Sequence, residues 1–210
     1  MKIIKVTAVL FAVTCLLFGC SNKNNDGSDD NNDEKDIVYN EKIQDTFFGV
    51  SFGSSKDTLI EQFKKRNFFT DKYYSTDDWL SFDKKSDPNS WGLRSSEKYY
   101  SFGEMNWEHL YVSFSNNKFY SIQFMNAHKI KQEALDNFDG VLSVVSEKYH
   151  LYDDPILNDT TSYKHYVGKT KNNQKITVSC YSYESVGHER WIGVSLSYAD
   201  FNFKTVSDEL

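Results

Sequence analysis

The chain has 210 residues, with Lys or Arg at 24 positions, Asp or Glu at 30 positions and a formal net charge of −6. This length allows one domain with a substantial hydrophobic core. Because the basic residues form no stripe, the composition argues against a nucleic-acid partner. The 16 Phe, 14 Tyr and 4 Trp make aromatic side chains the main material for a core or a binding surface.

Residues 1–19 have the layout of a secretory signal peptide, with two lysines before an apolar run that is too short to span a membrane stably. The run ends in LFGC at Cys20, which resembles the lipobox of bacterial lipoproteins. In that family the signal is cut before the cysteine, whose thiol then carries a diacylglycerol. The resemblance implies lipidation of Cys20 and a membrane anchor. The alternative is an ordinary signal peptide with a chance cysteine.

Residues 20–43 are predicted to be the lipidated cysteine and an acidic tether, since residues 21–36 offer no apolar side chain to bury. In Gram-negative lipoproteins Asp after the cysteine often marks inner-membrane retention, so Ser21 favours the outer membrane and leaves the leaflet open. The spacing from Asn22 to Asp33 partly matches a calcium loop. Its first ligand is Asn and its last is Asp rather than Glu, so we expect no metal there.

Residues 44–205 are predicted to form a single α+β domain that repeats one plan. In the first unit, Leu59, Ile60 and Phe63 have helical spacing within a helix at 56–66. A polar loop at 70–95 follows, and then come three strands. Their predicted ranges are Lys98–Phe102, Glu108–Phe114 and Phe119–Phe124.

The second unit repeats a helix and three strands. An apolar stripe predicts one helix from Lys129 to His150. The predicted strands are Ser162–Val167, Lys175–Tyr183 and Arg190–Tyr198. Two such tandem units would form one antiparallel sheet with both helices on one face. A short strand near Phe47–Phe52 would add an edge, and residues 206–210 would be a C-terminal tail.

The glycines before the first helix raise the question of a phosphate-binding loop. Gly49 and Gly53 have only three residues between them, and two serines separate Gly53 from Lys56, so the Walker pattern is broken. These residues predict turns instead, with Ser54 or Ser55 capping the helix. Ser54 with Asp57 fits a capping box.

Two stretches resemble small envelope lipoproteins of the SmpA/BamE type: GVSFGSSKDTL at 49–59 and YVSFSNNKF at 111–119. The doubled helix-and-strand plan is similar to the β-lactamase-inhibitor-protein-like fold. The resemblance covers about half the chain. It implies binding rather than catalysis, either in outer-membrane assembly or in inhibition of a partner enzyme.

No set of residues predicts an active site or a cofactor. The five histidines lack metal-site spacing. Cys180 is in phase with Ile176 and Val178, which places it in the core, although a catalytic thiol is the alternative. The acidic pairs at 77–78 and 153–154 lie in polar loops, where carboxylates are solvated. We therefore expect no enzyme activity, no metal and no cofactor.

Strand alternation predicts which face of the sheet binds a partner. One set of side chains is aliphatic and would meet the helices, while the opposite set mixes aromatic and small polar residues. We predict a binding face that includes Tyr111, Phe119, Tyr181, Tyr183 and Trp191. The alternative is that the loop at 70–95 or the N-terminal strand covers this face.

The function expected from these patterns is that of a cell-envelope lipoprotein that binds another protein without catalysis, in assembly or as an inhibitor. The alternative is a glycan-binding accessory lipoprotein, which Trp79, Trp91 and Trp107 in predicted loops would favour.

Overall fold

The computed structural model describes residues 37–66, 90–93, 99–154, 162–184 and 189–204. The predicted signal peptide, Cys20 and the C-terminal tail lie outside the described residues. Within them, the chain is an α+β fold built on one large antiparallel sheet.

The described part contains eleven strands and two α-helices. In chain order they are β1 (Thr46–Phe47), β2 (Val50–Ser51), α1 (Lys56–Lys65), β3 (Ser90–Leu93), β4 (Tyr100–Phe102), β5 (Met105–Trp107), β6 (His109–Ser115), β7 (Lys118–His128), α2 (Lys131–Ser146), β8 (Tyr152–Asp153), β9 (Ser162–Lys169), β10 (Gln174–Glu184) and β11 (Arg190–Asp200). Seven strands form the main sheet in the order β3-β6-β7-β11-β10-β9-β8. The pairs β1–β2 and β4–β5 form two separate small sheets.

Both predicted helices are confirmed, although each is shorter than expected. Helix α1 begins after Ser55, whose side chain accepts a hydrogen bond from the Thr58 backbone N–H at 3.2 Å. The predicted capping box was therefore wrong by one residue, because Ser55 rather than Ser54 is the cap. Helix α2 buries one stripe of small and apolar side chains, as its period requires. The stripe consists of Ala134, Phe138, Val141 and Val145.

The prediction was less accurate for the first strands. β4, which overlaps the predicted strand at 98–102, pairs only with β5 in a separate sheet. The strand at this edge of the main sheet, next to β6, is instead β3, which lies inside the predicted loop at 70–95. Residues 47–52 form a tight hairpin rather than an edge strand, since Phe48 and Gly49 have φ of 51° and 85°.

One hydrophobic core joins both helices to the sheet. Phe63 of α1 packs edge-on against Phe48, whose ring centroid lies 6.1 Å from that of Phe124 in β7. Phe138 of α2 lies 6.1 Å from Tyr166 in β9. The buried side chains of α1, α2 and the small hairpins belong to this core.

The folded part begins before the predicted boundary at residue 44. The Asn40 side chain donates to the His150 carbonyl at 3.0 Å and accepts from the His150 N–H at 2.8 Å. The backbone N–H of Asn40 donates to the Lys169 carbonyl at 2.8 Å. Ile43 is fully buried. Residues 40–43, which were assigned to the tether, therefore pack with the domain.

Candidate binding face

The sheet has a second face, which points away from the core. Because neighbouring side chains of a strand alternate, the register of β6, β7, β10 and β11 determines which residues share this face. We call it the serine–tyrosine face. Its positions are His109, Tyr111, Ser113, Ser121, Gln123, Met125, Ala127, Lys175, Thr177, Ser179, Tyr181, Tyr183, Trp191, Gly193, Ser195, Ser197 and Ala199.

Phe119 was predicted to lie on this face, and the structure shows that it does not. Between two neighbouring pairs, Ser113–Ser121 and Phe114–Phe119, β6 advances by one residue while β7 advances by two. This bulge reverses the alternation, and Phe119 turns into the core. It is fully buried, with its ring centroid 4.9 Å from that of Phe52.

The side chain of Tyr181 lies flat along the sheet surface instead of projecting away from it. Its hydroxyl donates to the Met125 sulfur at 3.2 Å, two strands away. Between them lies Gly193, where a Cβ would come within 3.0 Å of the tyrosine ring. Glycine therefore makes room for the ring. The resulting burial raises the pKa of Tyr181.

Tyr183 and Trp191 form a cross-strand aromatic pair at one end of the face. The Tyr183 ring lies 6.1 Å from that of Tyr181, so the aromatic surface is continuous. Burial, and then the Glu108 carboxylate, raise the pKa of Tyr183. The ammonium group of Lys129 lies 4.7 Å from the Trp191 ring centroid, within cation–π range.

A buried polar pair lies next to these rings. The Ser179 hydroxyl and His165 Nδ1 are 2.8 Å apart, and both residues are more than nine-tenths buried. Within the described residues, His165 Nε2 has no hydrogen-bond partner. Burial, and then Lys175, lower the pKa of His165, which favours the neutral imidazole.

This serine–histidine pair lacks the surroundings of a nucleophilic site. A nucleophile must be reachable by substrate, and Ser179 is only 7% exposed. Cys180 points to the opposite face, where burial raises the pKa of its thiol to about 11, so it stays protonated at neutral pH. The described residues hold no cluster of three metal-ligating side chains.

The structure brings together four of the five predicted aromatic positions. Tyr111, Tyr181, Tyr183 and Trp191 are all half-buried on the serine–tyrosine face. The predicted lipidation site lies outside the described residues. Sequence reasoning missed the His165–Ser179 pair, because alternation gives each residue a face but does not give the register between strands.

The tryptophans cited for glycan binding do not support it equally. Trp107 is fully buried in β5, where its indole N–H donates to the Phe102 carbonyl at 3.1 Å. It therefore presents no stacking surface to a sugar. Trp79 lies outside the described residues, and only the backbone of Trp91 is described, in β3.

Comparison with protein-family models, curated proteins and solved structures found no match to this chain. Within the described part of the chain, neither helix is long and apolar enough to cross a bilayer.

Proposed function

We propose that this protein is a lipid-anchored cell-envelope protein whose serine–tyrosine face binds another protein without catalysing a reaction. The observation that carries the proposal is the composition of that face. Of its seventeen positions only one, Lys175 at one end of the face, is Asp, Glu, Lys or Arg, and four are half-buried Tyr or Trp. Protein interfaces are likewise enriched in aromatic residues and depleted of charge at their centres.

The chemistry of the face indicates the kind of partner. Tyrosines offer large, rigid contact area, and the Ser, Thr and Gln between them offer hydrogen bonds. Such a surface favours a partner region that is itself uncharged, since burying an unpaired charge against it would cost several kcal/mol. An uncharged protein surface is therefore the proposed occupant.

The sheet order supports the tandem plan as part of this proposal. Strands β3, β6 and β7 follow α1, and strands β9, β10 and β11 follow α2. The last strands of the two sets, β7 and β11, pair antiparallel at the centre of the sheet. Two helix-plus-three-strand units, each ending at the centre, would produce this order, with β8 added at one edge.

The proposed location is the outer membrane of a Gram-negative bacterium, with attachment through Cys20. It rests on the lipobox-like LFGC sequence and on Ser21. Metabolic labelling with a clickable fatty acid tests it. Wild type should incorporate the label, whereas Cys20→Ala should not. Equal labelling of both proteins would overturn the proposed attachment.

Site-specific photocrosslinking tests the binding face. A benzophenone amino acid replaces Tyr183 in cells, and a matched protein carries it at Tyr39, an exposed tyrosine outside this face. We expect a discrete crosslinked protein from position 183 only. Trp191→Ala should lower its yield several-fold while lowering the free energy of unfolding by only about 1 kcal/mol.

Two results would contradict the proposal. Equal crosslinking from positions 183 and 39 would show that the contact is not made by this face. Retarded migration in gels that contain envelope polysaccharide, lost in Trp191→Ala, would favour the glycan-binding alternative.

A further inference from the structure

The first described residues expose an unusual amount of apolar surface. Only four large apolar residues in the described ranges are exposed: Ile37, Val38 and Tyr39, at 40%, 58% and 44%, and Ile130, at 55%. Three of the four are consecutive. They follow directly on residues 21–36, which contain no apolar side chain.

The fold holds this apolar segment at one end of the sheet. The three hydrogen bonds of Asn40 to His150 and Lys169 fix the chain immediately after Tyr39. The pKa of Lys169 is raised, first by a hydrogen bond with Tyr152 and to a smaller extent by Asp154 and Tyr39. The segment therefore has a defined position beside the turn between β9 and β10.

The same end of the sheet carries lysines. Exposed Lys171 lies in the β9–β10 turn, and exposed Lys118 begins β7 after the β6–β7 turn. Cross-strand pairing places the two turns at the same end, because Lys169, Lys175, Ala199 and Ser121 form one row across β9, β10, β11 and β7.

Acidic residues are also present beside the segment. Glu41 is exposed, and Asp45 forms an ion pair with Lys42 at 3.7 Å. This ion pair neutralises one of the two carboxylates. Within the described residues, the apolar side chains thus lie beside several lysines, with Glu41 after them in sequence and Asp154 near Lys169. Before them, residues 26–36 carry six acids and one lysine, and Asp36 directly precedes Ile37.

We propose that Ile37, Val38 and Tyr39, together with Lys118, Lys169 and Lys171, form a surface that contacts an anionic lipid bilayer. Apolar side chains flanked by lysines are the combination that binds the membrane interface. Three apolar residues alone would bind weakly. The inference rests on the proposed lipid attachment, because an anchor at Cys20, 17 residues before Ile37, would keep the segment at high effective concentration near lipid.

This contact would orient the binding face. Tyr183 lies eight residues along β10 from Lys175, which is about 27 Å at the rise of an antiparallel strand. With residues 37–39 against the bilayer, the Tyr183–Trp191 pair would be held away from it. The partner would then be engaged at a distance from the lipid surface.

Fluorescence quenching at two matched positions tests the contact. Glu41→Cys and Glu184→Cys each remove one exposed acid, one next to the apolar segment and one at the opposite end of the sheet. Cys180 is buried with a raised thiol pKa, so a maleimide dye would leave it unlabelled. The lipidated mature chain is reconstituted in vesicles of phosphatidylcholine and phosphatidylglycerol that contain a spin-labelled lipid.

We expect quenching at position 41 to exceed that at position 184 several-fold. The double substitution Ile37→Ser with Tyr39→Ser should abolish the difference, whereas Ile130→Ser should preserve it. Pure phosphatidylcholine vesicles should reduce it. Equal quenching at both positions would overturn the proposed contact, as would self-association through residues 37–39 in sedimentation experiments.

A second preparation separates this proposal from the lipid anchor. An oligohistidine tag in place of Cys20 attaches the mature chain to vesicles that contain nickel-chelating lipid. If the natural protein fails to float with vesicles, the proposed attachment at Cys20 is wrong. Position-dependent quenching of the tagged chain would still support the membrane contact, and its absence would overturn it.

Discussion

The two faces of the sheet are made by the same strands, yet they are built differently. On the core face, Val178 of β10 and Leu196 of β11 form a cross-strand pair that is almost completely buried. The next cross-strand pair, Ser179 and Ser195, lies on the opposite face. The half-buried Tyr181 and Tyr183 share that face. Both faces share one hydrogen-bonded backbone, so the difference between them comes from the side chains alone.

The largest expected difference between the two faces is in stability. Phe124→Ala removes a fully buried ring that stacks on Phe102 at 4.3 Å, and it should lower the free energy of unfolding by about 3–5 kcal/mol. Tyr183→Ala should lower it by about 1 kcal/mol, because its ring is only half-buried. Urea unfolding of both variants measures the contrast. A Tyr183→Ala loss as large as that of Phe124→Ala would show that both faces are core.

Gly193→Ala tests how tightly Tyr181 packs on the face. The added methyl group would lie 3.0 Å from the tyrosine ring and should displace it, which costs about 1–3 kcal/mol of unfolding free energy. In a Tyr181→Ala background the same substitution should cost much less. A double-mutant cycle in urea measures the coupling between the two positions. A coupling energy near zero would mean that the ring does not rest on Gly193.

The smallest expected effect is a pH dependence that His165 contributes. An unfolded histidine titrates near pH 6.5, and burial lowers the pKa of His165 in the folded chain. The unfolded chain therefore takes up this proton first as pH falls. The contribution to stability is complete above about pH 6.5 and is lost as pH falls from there towards the folded pKa.

Urea unfolding between pH 7.5 and pH 5 tests this contribution. His165→Gln should flatten the decline in stability with falling pH. The charged groups that act on His165 are Lys175, Asp153 and Asp154, so their substitution should alter the slope. An identical slope in wild type and His165→Gln would exclude a buried neutral histidine at this position.

Periodicity predicted the parts of the fold in which many residues repeat one pattern. Both helices and the long strands β6, β7, β10 and β11 were identified from their apolar spacing. Strands β3 and β5, of four and three residues, carry too few alternations to stand out from a polar or aromatic loop. The short hairpin at residues 46–51 was read as one strand for the same reason.

The candidate site shows where alternation fails as a guide. Tyr181, Tyr183 and Trp191 were assigned to the correct face because β10 and β11 pair without interruption along their whole length. Phe119 was misplaced because a one-residue bulge in β7 leaves no sign in the pattern of apolar residues. The contact between His165 and Ser179 depends on the register between β9 and β10, which tertiary packing sets.

Under mechanical tension, Asn40 would be the first described residue to transmit force to the domain. Tension applied to the chain before Ile37 would pass the exposed apolar segment and first meet the hydrogen bonds that join Asn40 to His150 and Lys169. These bonds would share the load between the segment after α2 and the end of β9. Several hydrogen bonds would therefore resist the applied force together. Residues 37–39 would be extended before the strands of the sheet separate.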